Sequence, residues 1–547
     1  MIRDAVDSLS GPSPGEGLVR AVRWMLLYAA LHAAFRYGSR RGLLVTARQV
    51  EREIRHDLFS HVVRLPLSVF GRTATGDVMS RMTNDISAIW LFLGPGLLTL
   101  IGTAVSYLLA LFFMLRISPL LTAVALAAAP AVILLSRSYG RAFHRLHRRG
   151  QELFAGMNSL LQENVTGIRL VKAYGMEERE ESRFGEACEA VYRVNVSVAK
   201  TSAAFHGGIG FVAGAGVALV LLLGGSRVVS GRLTLGGFVA FNAYLAMLAF
   251  PTMALGWVIN LFQRAGSATG RINEFFGTPA EERASGGSFR GRAIPDAPLL
   301  DIRNLSFGYP GEERGESLRE VSFALRAGEV VGLVGPTGSG KSTLLALLLR
   351  LYPVPRGTVF WKGRDLADLP LDELRRSVRL VAQDPFLFSE SVLENLCFGL
   401  EEPDAEAARR AAAQARLLAE IEELPEGFST RIGERGITLS GGQKQRAAIA
   451  RALCAGGELL LLDDVLSAVD SETEREIFEE ILALRGDRTV LFSTHRMASL
   501  SRCDRILVMR EGRIVEQGTH EELFALGGDY YDLYARQMLA RELETSR

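Results

Sequence analysis

Four long uncharged stretches, close together in the first half of the sequence, constrain this chain more than any other feature. They lie between Asp85 and Arg116 (30 residues), Arg116 and Arg137 (20), Lys200 and Arg227 (26), and Arg232 and Arg264 (31). About 20 helical residues cross a hydrocarbon core of roughly 30 Å, so each stretch is long enough to span a bilayer. A soluble core would have to contain four such buried helices in quick succession to mimic the pattern. A fifth stretch, Val22 to Val45, is apolar but carries Arg23, His32, Arg36, Arg40 and Arg41. Charges inside a span need a special environment, so this one stands apart. The first half therefore reads as an α-helical transmembrane domain with five visible spans.

The segments between the stretches add to this. Two joins are short, through Arg116–Pro119 and Arg227–Arg232. Residues 46–88 and 137–200 are instead long, charged and helical in pattern, and the second holds eleven Lys/Arg. That excess places it on the cytosolic side by the positive-inside tendency. Two antiparallel helices of about 30 residues would project roughly 45 Å from the membrane, far enough to reach a separate cytosolic domain. Apolar residues make up 48% of the sequence, and the mean hydropathy is +0.16. A net charge of +1 argues against a polyanion-binding surface spread over the whole chain, and with the four long apolar runs no nucleic-acid partner is expected. Cys188, Cys397, Cys454 and Cys503 lie far apart and read as reduced thiols. No charged segment followed by an apolar core marks a secretory signal at the N-terminus.

Residues 278–297 are polar and rich in Gly and Pro, including Ser285-Gly286-Gly287-Ser288, Pro295 and, just beyond, Pro298. They read as a linker between a membrane domain at 1–277 and an α/β nucleotide-binding domain at 298–547. The second domain opens with a clear signature. A short apolar strand, Val330–Val334, runs into Gly335-Pro336-Thr337-Gly338-Ser339-Gly340-Lys341-Ser342-Thr343 and then a leucine-rich helix. This is the spacing of a phosphate-binding loop, whose backbone N–H groups cradle an anion at a helix N-terminus. The glycines let the backbone wrap the phosphates, Lys341 reaches the β- and γ-phosphates, and the Ser342 hydroxyl can ligand Mg²⁺. ATP or a close relative is the expected ligand. About 120 residues on, Leu459–Leu462 forms an apolar strand ending in Asp463 and Asp464. Such a strand would deliver Asp463 to the phosphate site to hold Mg²⁺, directly or through water.

Between these elements stands Leu439-Ser440-Gly441-Gly442-Gln443, which opens a helical stretch and makes a second anion-binding terminus. Together with the phosphate loop, it resembles the signature of the ABC transporter family. The resemblance implies further roles, position by position. Tyr309 matches the aromatic that stacks on adenine, although Tyr-Pro is also ordinary turn chemistry. Gln383 matches the glutamine that couples Mg²⁺ and the attacking water to the membrane domain, and His495 matches the histidine that contacts the γ-phosphate. Asp470, in Ser467-Ala468-Val469-Asp470, matches the loop that crosses the dimer interface. Thr430–Gly436 resembles a loop typical of ABC exporters. In the membrane half, Thr75–Arg81 and Val171–Glu177 resemble the two cytosolic coupling segments, and Gly231–Phe241 the approach to the last span. The resemblance covers nearly the whole chain and implies a composite ATP site. In it, Gly335, Thr337–Thr343, Gln383, Asp463, Asp464 and His495 of one subunit meet Ser440–Gln443 of another.

Two features depart from the family pattern. Asp464 stands where hydrolytic members have a glutamate that polarises the attacking water. Its carboxylate is retracted by about 1 Å, and a misplacement of that order can cost ~10²-fold in rate. A backbone shift could compensate, since geometry rather than residue type decides a general base. A shortened carboxylate beside an intact signature resembles the degenerate-site subunit of heterodimeric multidrug ABC exporters. The expectation is thus a heterodimer with a second half-transporter, slow at this chain's own site, moving amphipathic small molecules out of the cytoplasm. Lipid or peptide cargo is the alternative within transport, and a membrane ATPase that regulates a complex without moving cargo is the alternative outside it. The second departure is span number: the family has six per subunit with both termini cytosolic, whereas five are visible. Residues 1–10 resemble the segment after the family's first span, so the start is expected to lie downstream of the true one or the chain to be truncated. A natural five-span form is the other possibility. The expected setting is the cytoplasmic membrane, with the nucleotide-binding domain in the cytosol.

Overall fold

The computed structural model describes residues 2–8, 14–281, 297–309, 315–433, 439–465, 471–483 and 485–545. The chain divides into two compact units, 1–59 with 79–277, and 60–78 with 278–547.

Among its described residues the first unit is helical apart from short joins. Among the described residues, four helices are long and apolar enough to cross a membrane: Gly15–Val62, Thr75–Ile117, Glu177–Val229 and Leu235–Gly277. The Arg-bearing stretch Val22–Val45 lies within the first of these. The remaining uncharged run, 117–136, breaks at Ser118 and from Pro119 opens the 48-residue helix Pro119–Thr166. That helix begins sharply. Ser118 is extended, its hydroxyl accepts from the Leu121 N–H at 3.4 Å, and Pro119 fills the first helical turn where no donor is needed. The helices Pro119–Thr166 and Glu177–Val229 pack against each other, joined by the short helix Ile168–Tyr174 and a left-handed Gly175. Residues 137–166 alone extend about 45 Å at helical rise.

The helix through Thr75–Ile117 is not regular. Arg81–Asp85 and Phe92–Gly96 are π-turns, and the second contains Pro95. Proline removes a donor and crowds the preceding turn, so a widened turn is one way to keep it inside a helix. Near this end Asp85, only 7% exposed, receives Arg271 through Nε at 2.9 Å and Nη2 at 2.5 Å. Removing one partner of a buried pair costs about 3–5 kcal/mol. Because Arg271 is nearly half exposed, a smaller loss, about 2 kcal/mol, is expected for Arg271→Ala. Thermal melts of the purified protein check this, and adding Asp85→Asn should recover part of the loss. The N-terminal helix Ile2–Ser8 lies on the helix Leu235–Met247, where the Gly236 N–H donates to Asp7 at 2.8 Å. A Cβ at Gly236 would sit 2.3 Å from the Arg3 carbonyl, so only glycine permits this approach.

Among the described residues the second unit contains two sheets. Its strands are β1 Leu300–Phe307, β2 Leu318–Leu325, β3 Val330–Val334, β4 Val359–Trp361, β5 Arg364–Asp365, β6 Val378–Val381, β7 Leu459–Asp463, β8 Thr489–Ser493, β9 Arg505–Arg510 and β10 Arg513–Gly518. An antiparallel sheet runs β2-β1-β4-β5, and a mostly parallel sheet runs β10-β9-β3-β8-β7-β6. Strands β3, β7 and β8 are buried at every position, as expected of parallel strands covered on both faces. One apolar cluster joins β1, β2 and the helix Lys341–Leu348 to one face of the parallel sheet. A second joins the helices Ala405–Gln414, Gly441–Ala455 and Ser471–Ala483 to the other. Residues 60–78 are tied to the chain after 277: the Glu281 N–H donates to the Arg64 carbonyl at 2.7 Å, and His61 Nε2 lies 3.0 Å from the Thr278 carbonyl. Residues 282–296 of the expected linker lie outside the described residues. The C-terminal segment is two helices, His520–Leu526 and Asp529–Thr545, separated by a left-handed Gly527.

Candidate nucleotide site

The parallel order places β3, β8 and β7 side by side, so their C-terminal ends open on one crevice, where ligands of such sheets bind. The loop after β3 wraps this crevice. At Gly335 a Cβ would stand 2.1 Å from the Met509 carbonyl, and Gly340, with φ +102°, would place one 2.9 Å from the Ser317 carbonyl. The loop is therefore pressed against β9 and the approach to β2, and its glycines are required by space as well as by turn geometry. Helix Lys341–Leu348 starts there and points its N-terminus into the crevice.

Lys341 is 7% exposed. Its Nζ donates to the Gly335 carbonyl at 2.8 Å, the Pro336 carbonyl at 3.0 Å and Ser339 Oγ at 3.4 Å. Burial lowers its pKa, opposed by the charges of Asp463 and Asp464. An ammonium held this way, beside free N–H groups at a helix start, suits a polyphosphate.

Asp463 ends β7, and Asp464 follows in the left-handed region with φ +47°. Both are 8% exposed. The Asp464 N–H donates to the Ser493 carbonyl at 2.9 Å. Burial raises the Asp464 pKa above the usual carboxylate range; the charge and backbone N–H of His495 pull the other way, with Asp463 raising it and Lys341 lowering it. The carboxyl of Asp464 thus faces the segment after β8.

These groups line a cavity of about 570 Å³, within the roughly 300–1,000 Å³ usual for small-molecule sites. The structure brings to it Thr337, Gly338, Ser339, Gly340, Lys341, Ser342, Thr343, Gln383, Asp463, Asp464 and His495. Ser342, Asp463 and Gln383 offer a hydroxyl, a carboxylate and an amide oxygen, an all-oxygen set that suits Mg²⁺ when phosphates and water complete it. Among the described residues no cluster of three or more His, Cys, Asp or Glu could hold a metal without such help.

Other expected residues lie elsewhere. Tyr309 does not line the cavity; its hydroxyl is 2.9 Å from Thr343 Oγ1, and its ring packs edge-on against Tyr352 and Phe307. Ser440, Gly441, Gly442 and Gln443 are also outside the lining. They open helix Gly441–Ala455 with a capping box, in which Gln443 N–H donates to Ser440 Oγ and Ser440 N–H to Gln443 Oε1. Asp470, with 466–469, and residues 434–436 of the loop before the signature lie outside the described residues.

Further groups around the site carry no sequence motif. Glu316, Arg319, Glu511 and Gly512 also line the cavity, next to the phosphate loop, where the Gly512 N–H donates to the Ser339 carbonyl at 3.1 Å. Gln537, on the C-terminal helix, donates to the His495 carbonyl at 2.8 Å and accepts from the Met497 N–H at 2.6 Å. Glu474, 6% exposed, pairs with Arg496 and accepts from Ser499 Oγ at 3.0 Å. His495 is thus bracketed by groups tens of residues away, and no local motif announces them.

Comparison with known proteins bears on the family and the fold. Residues 2–252 match the family model described as ABC transporter transmembrane region, and 318–467 the one described as ABC transporter. The chain is 35% identical to a probable multidrug resistance ABC transporter ATP-binding/permease protein, YheI, of Bacillus subtilis, over 98% of this chain and 92% of that one. It is 36% identical to the multidrug resistance-like ATP-binding protein MdlA of Escherichia coli, over 95% and 88%. It is 34% identical to an ATP-dependent lipid A-core flippase of Methylococcus capsulatus, over 90% and 81%. Its structure is similar to that of a bacterial Atm1-family ABC exporter with ATP bound, with a TM-score of 0.78 and 27% identity over 98% and 94% of the two chains. The chain belongs to the ABC transporter family, as an exporter half-transporter: an integral membrane protein whose nucleotide-binding domain binds and hydrolyses ATP to drive export.

Proposed function

We propose that this half-transporter works as a heterodimer that exports amphipathic small molecules, and that its own ATP site is the slower of the two. The observation that carries the reading is Asp464. It occupies the position after the Mg²⁺-binding aspartate, it is buried, and its short carboxyl is turned toward the His495 backbone. A base so retracted orients an attacking water poorly, while binding is untouched because Lys341, Ser342 and Asp463 are all present. Ser342, Asp463 and Gln383 would hold Mg²⁺, which would supply charge neutralisation at the terminal phosphates. Tyr309 serves the adenine once its ring leaves Tyr352, and Asp470 reaches across the dimer. The partner's nucleotide faces this chain's Ser440–Gln443, whose helix terminus is intact. The protein sits in the cytoplasmic membrane with its nucleotide-binding domain in the cytosol.

Lipid cargo is a second reading, favoured by the similarity to lipid A-core flippases. Purification separates these claims. The chain alone, reconstituted in lipid, is expected to bind ATP tightly and turn it over slowly, and co-expression with a second half-transporter should restore drug-stimulated hydrolysis. Rapid, drug-stimulated turnover by the chain alone would sink the heterodimer reading. ATP-dependent accumulation of dyes, rather than of labelled lipid, in inverted vesicles separates the two cargo classes.

A further inference from the structure

We infer that the Ser493 hydroxyl is a further ligand-facing group of the nucleotide site, placed to hydrogen-bond a water of the Mg²⁺ shell beside Asp463. Ser493 ends β8, the strand between the one that carries the phosphate loop and the one that carries Asp463. It is in register with Leu333 on one side and with Asp463 on the other. In-register neighbours on parallel strands project to the same face of a sheet. Leu333, Leu461 and Leu491 all belong to the apolar cluster that includes Leu344 and Leu345 of the phosphate-loop helix, whereas Leu462 and Phe492 belong to the opposite one. Asp463 and Ser493, each two residues beyond a leucine of the first face, therefore point to the side where Lys341 and Ser342 stand.

The hydroxyl has nothing else to do there. Ser493 is fully buried, and its Oγ has no hydrogen-bond partner among the described residues. Ser493 nonetheless lines the same cavity as Ser342 and Asp463. Its carbonyl is taken by the Asp464 N–H, which fixes the strand end. A buried hydroxyl left without a partner is costly, and alanine would fill the place without that cost. Neighbouring strands lie about 4.8 Å apart, a gap that one water spans with two hydrogen bonds. The site thus holds an orphan donor beside its metal carboxylate, satisfied when the hydrated cation arrives.

The inference rests on the reading of Asp463 as the Mg²⁺ carboxylate, and the test keeps the two apart. Mn²⁺, as the probe, is titrated by its free EPR signal into the full-length chain in nanodiscs with AMP-PNP bound. Ser493→Ala is expected to weaken Mn²⁺ binding about fivefold, the worth of one ordinary hydrogen bond. AMP-PNP binding without metal should stay at the wild-type level, and the unliganded melting temperature should not fall. Ser493→Cys, of similar volume and weaker donor strength, should fall between. Asp463→Asn serves as the control. If it leaves Mn²⁺ affinity unchanged, the metal site lies elsewhere and both readings go. If it weakens Mn²⁺ binding while Ser493→Ala binds within twofold of wild type, Ser493 is only a tolerated core defect and the inference is overturned.

Discussion

Asp464→Glu is expected to raise the steady-state ATP turnover of the purified chain by up to ~10²-fold. One added methylene advances the carboxylate by about 1 Å, and placement errors of that size carry rate effects of this order. Nucleotide affinity should not follow, because Lys341, Ser342 and Asp463 are unchanged, so the effect belongs in kcat and not in KM. The substitution has a cost of its own. Asp464 sits at φ +47°, a conformation that aspartate tolerates better than glutamate, so a stability loss of up to about 1 kcal/mol should accompany the gain. A faster but slightly less stable protein is the signature of a site limited by side-chain length. Phosphate release, read beside a thermal melt, measures both quantities at once. An unchanged kcat would mean that the backbone already places Asp464 well and that the slow-site reading is wrong.

Much of the architecture is legible in the sequence because its signals are local. The uncharged stretches at 86–115 and 201–226 fall within helices, and Val330–Val334 with Gly335–Thr343 forms the strand, loop and helix that its spacing implies. Even the ambiguous Val22–Val45 becomes helix, since backbone hydrogen bonds in a membrane must be satisfied within the segment whatever its arginines require. What could not be read is set by tertiary register. Ser493 is unremarkable until β8 is known to lie between β3 and β7. Gln537 matters only because the C-terminal helix returns to His495, 42 residues away. The left-handed backbone of Asp464 was equally hidden, because Asp-Asp-Val carries no turn signal of its own. The π-turns at Arg81–Asp85 and Phe92–Gly96 also have no simple sequence mark, apart from Pro95 in the second.

Gly441→Asp, made in this chain and co-expressed with its partner, should reduce ATP turnover of the assembled transporter by about 10²–10³-fold, the range seen when one preorganised transition-state donor is lost. Gly441 is the first residue of helix Gly441–Ala455, where N–H groups without intrahelical acceptors and the positive end of the helix dipole await an anion. If the proposed composite site forms, a carboxylate there would occupy the anion's place and repel the γ-phosphate bound on the facing subunit. The capping box of Ser440 and Gln443 is left in place, so the helix should survive and the melting temperature change little. Lys341→Ala in the same assembly strikes this chain's own site, and a much smaller loss of turnover is expected from it. The contrast is the informative result, since two intact and equivalent sites would give comparable losses. A large effect at Gly441 with a modest one at Lys341 would place the faster chemistry on the partner's nucleotide. This chain would then contribute most to hydrolysis through its signature helix and least through the phosphate loop that first identifies it.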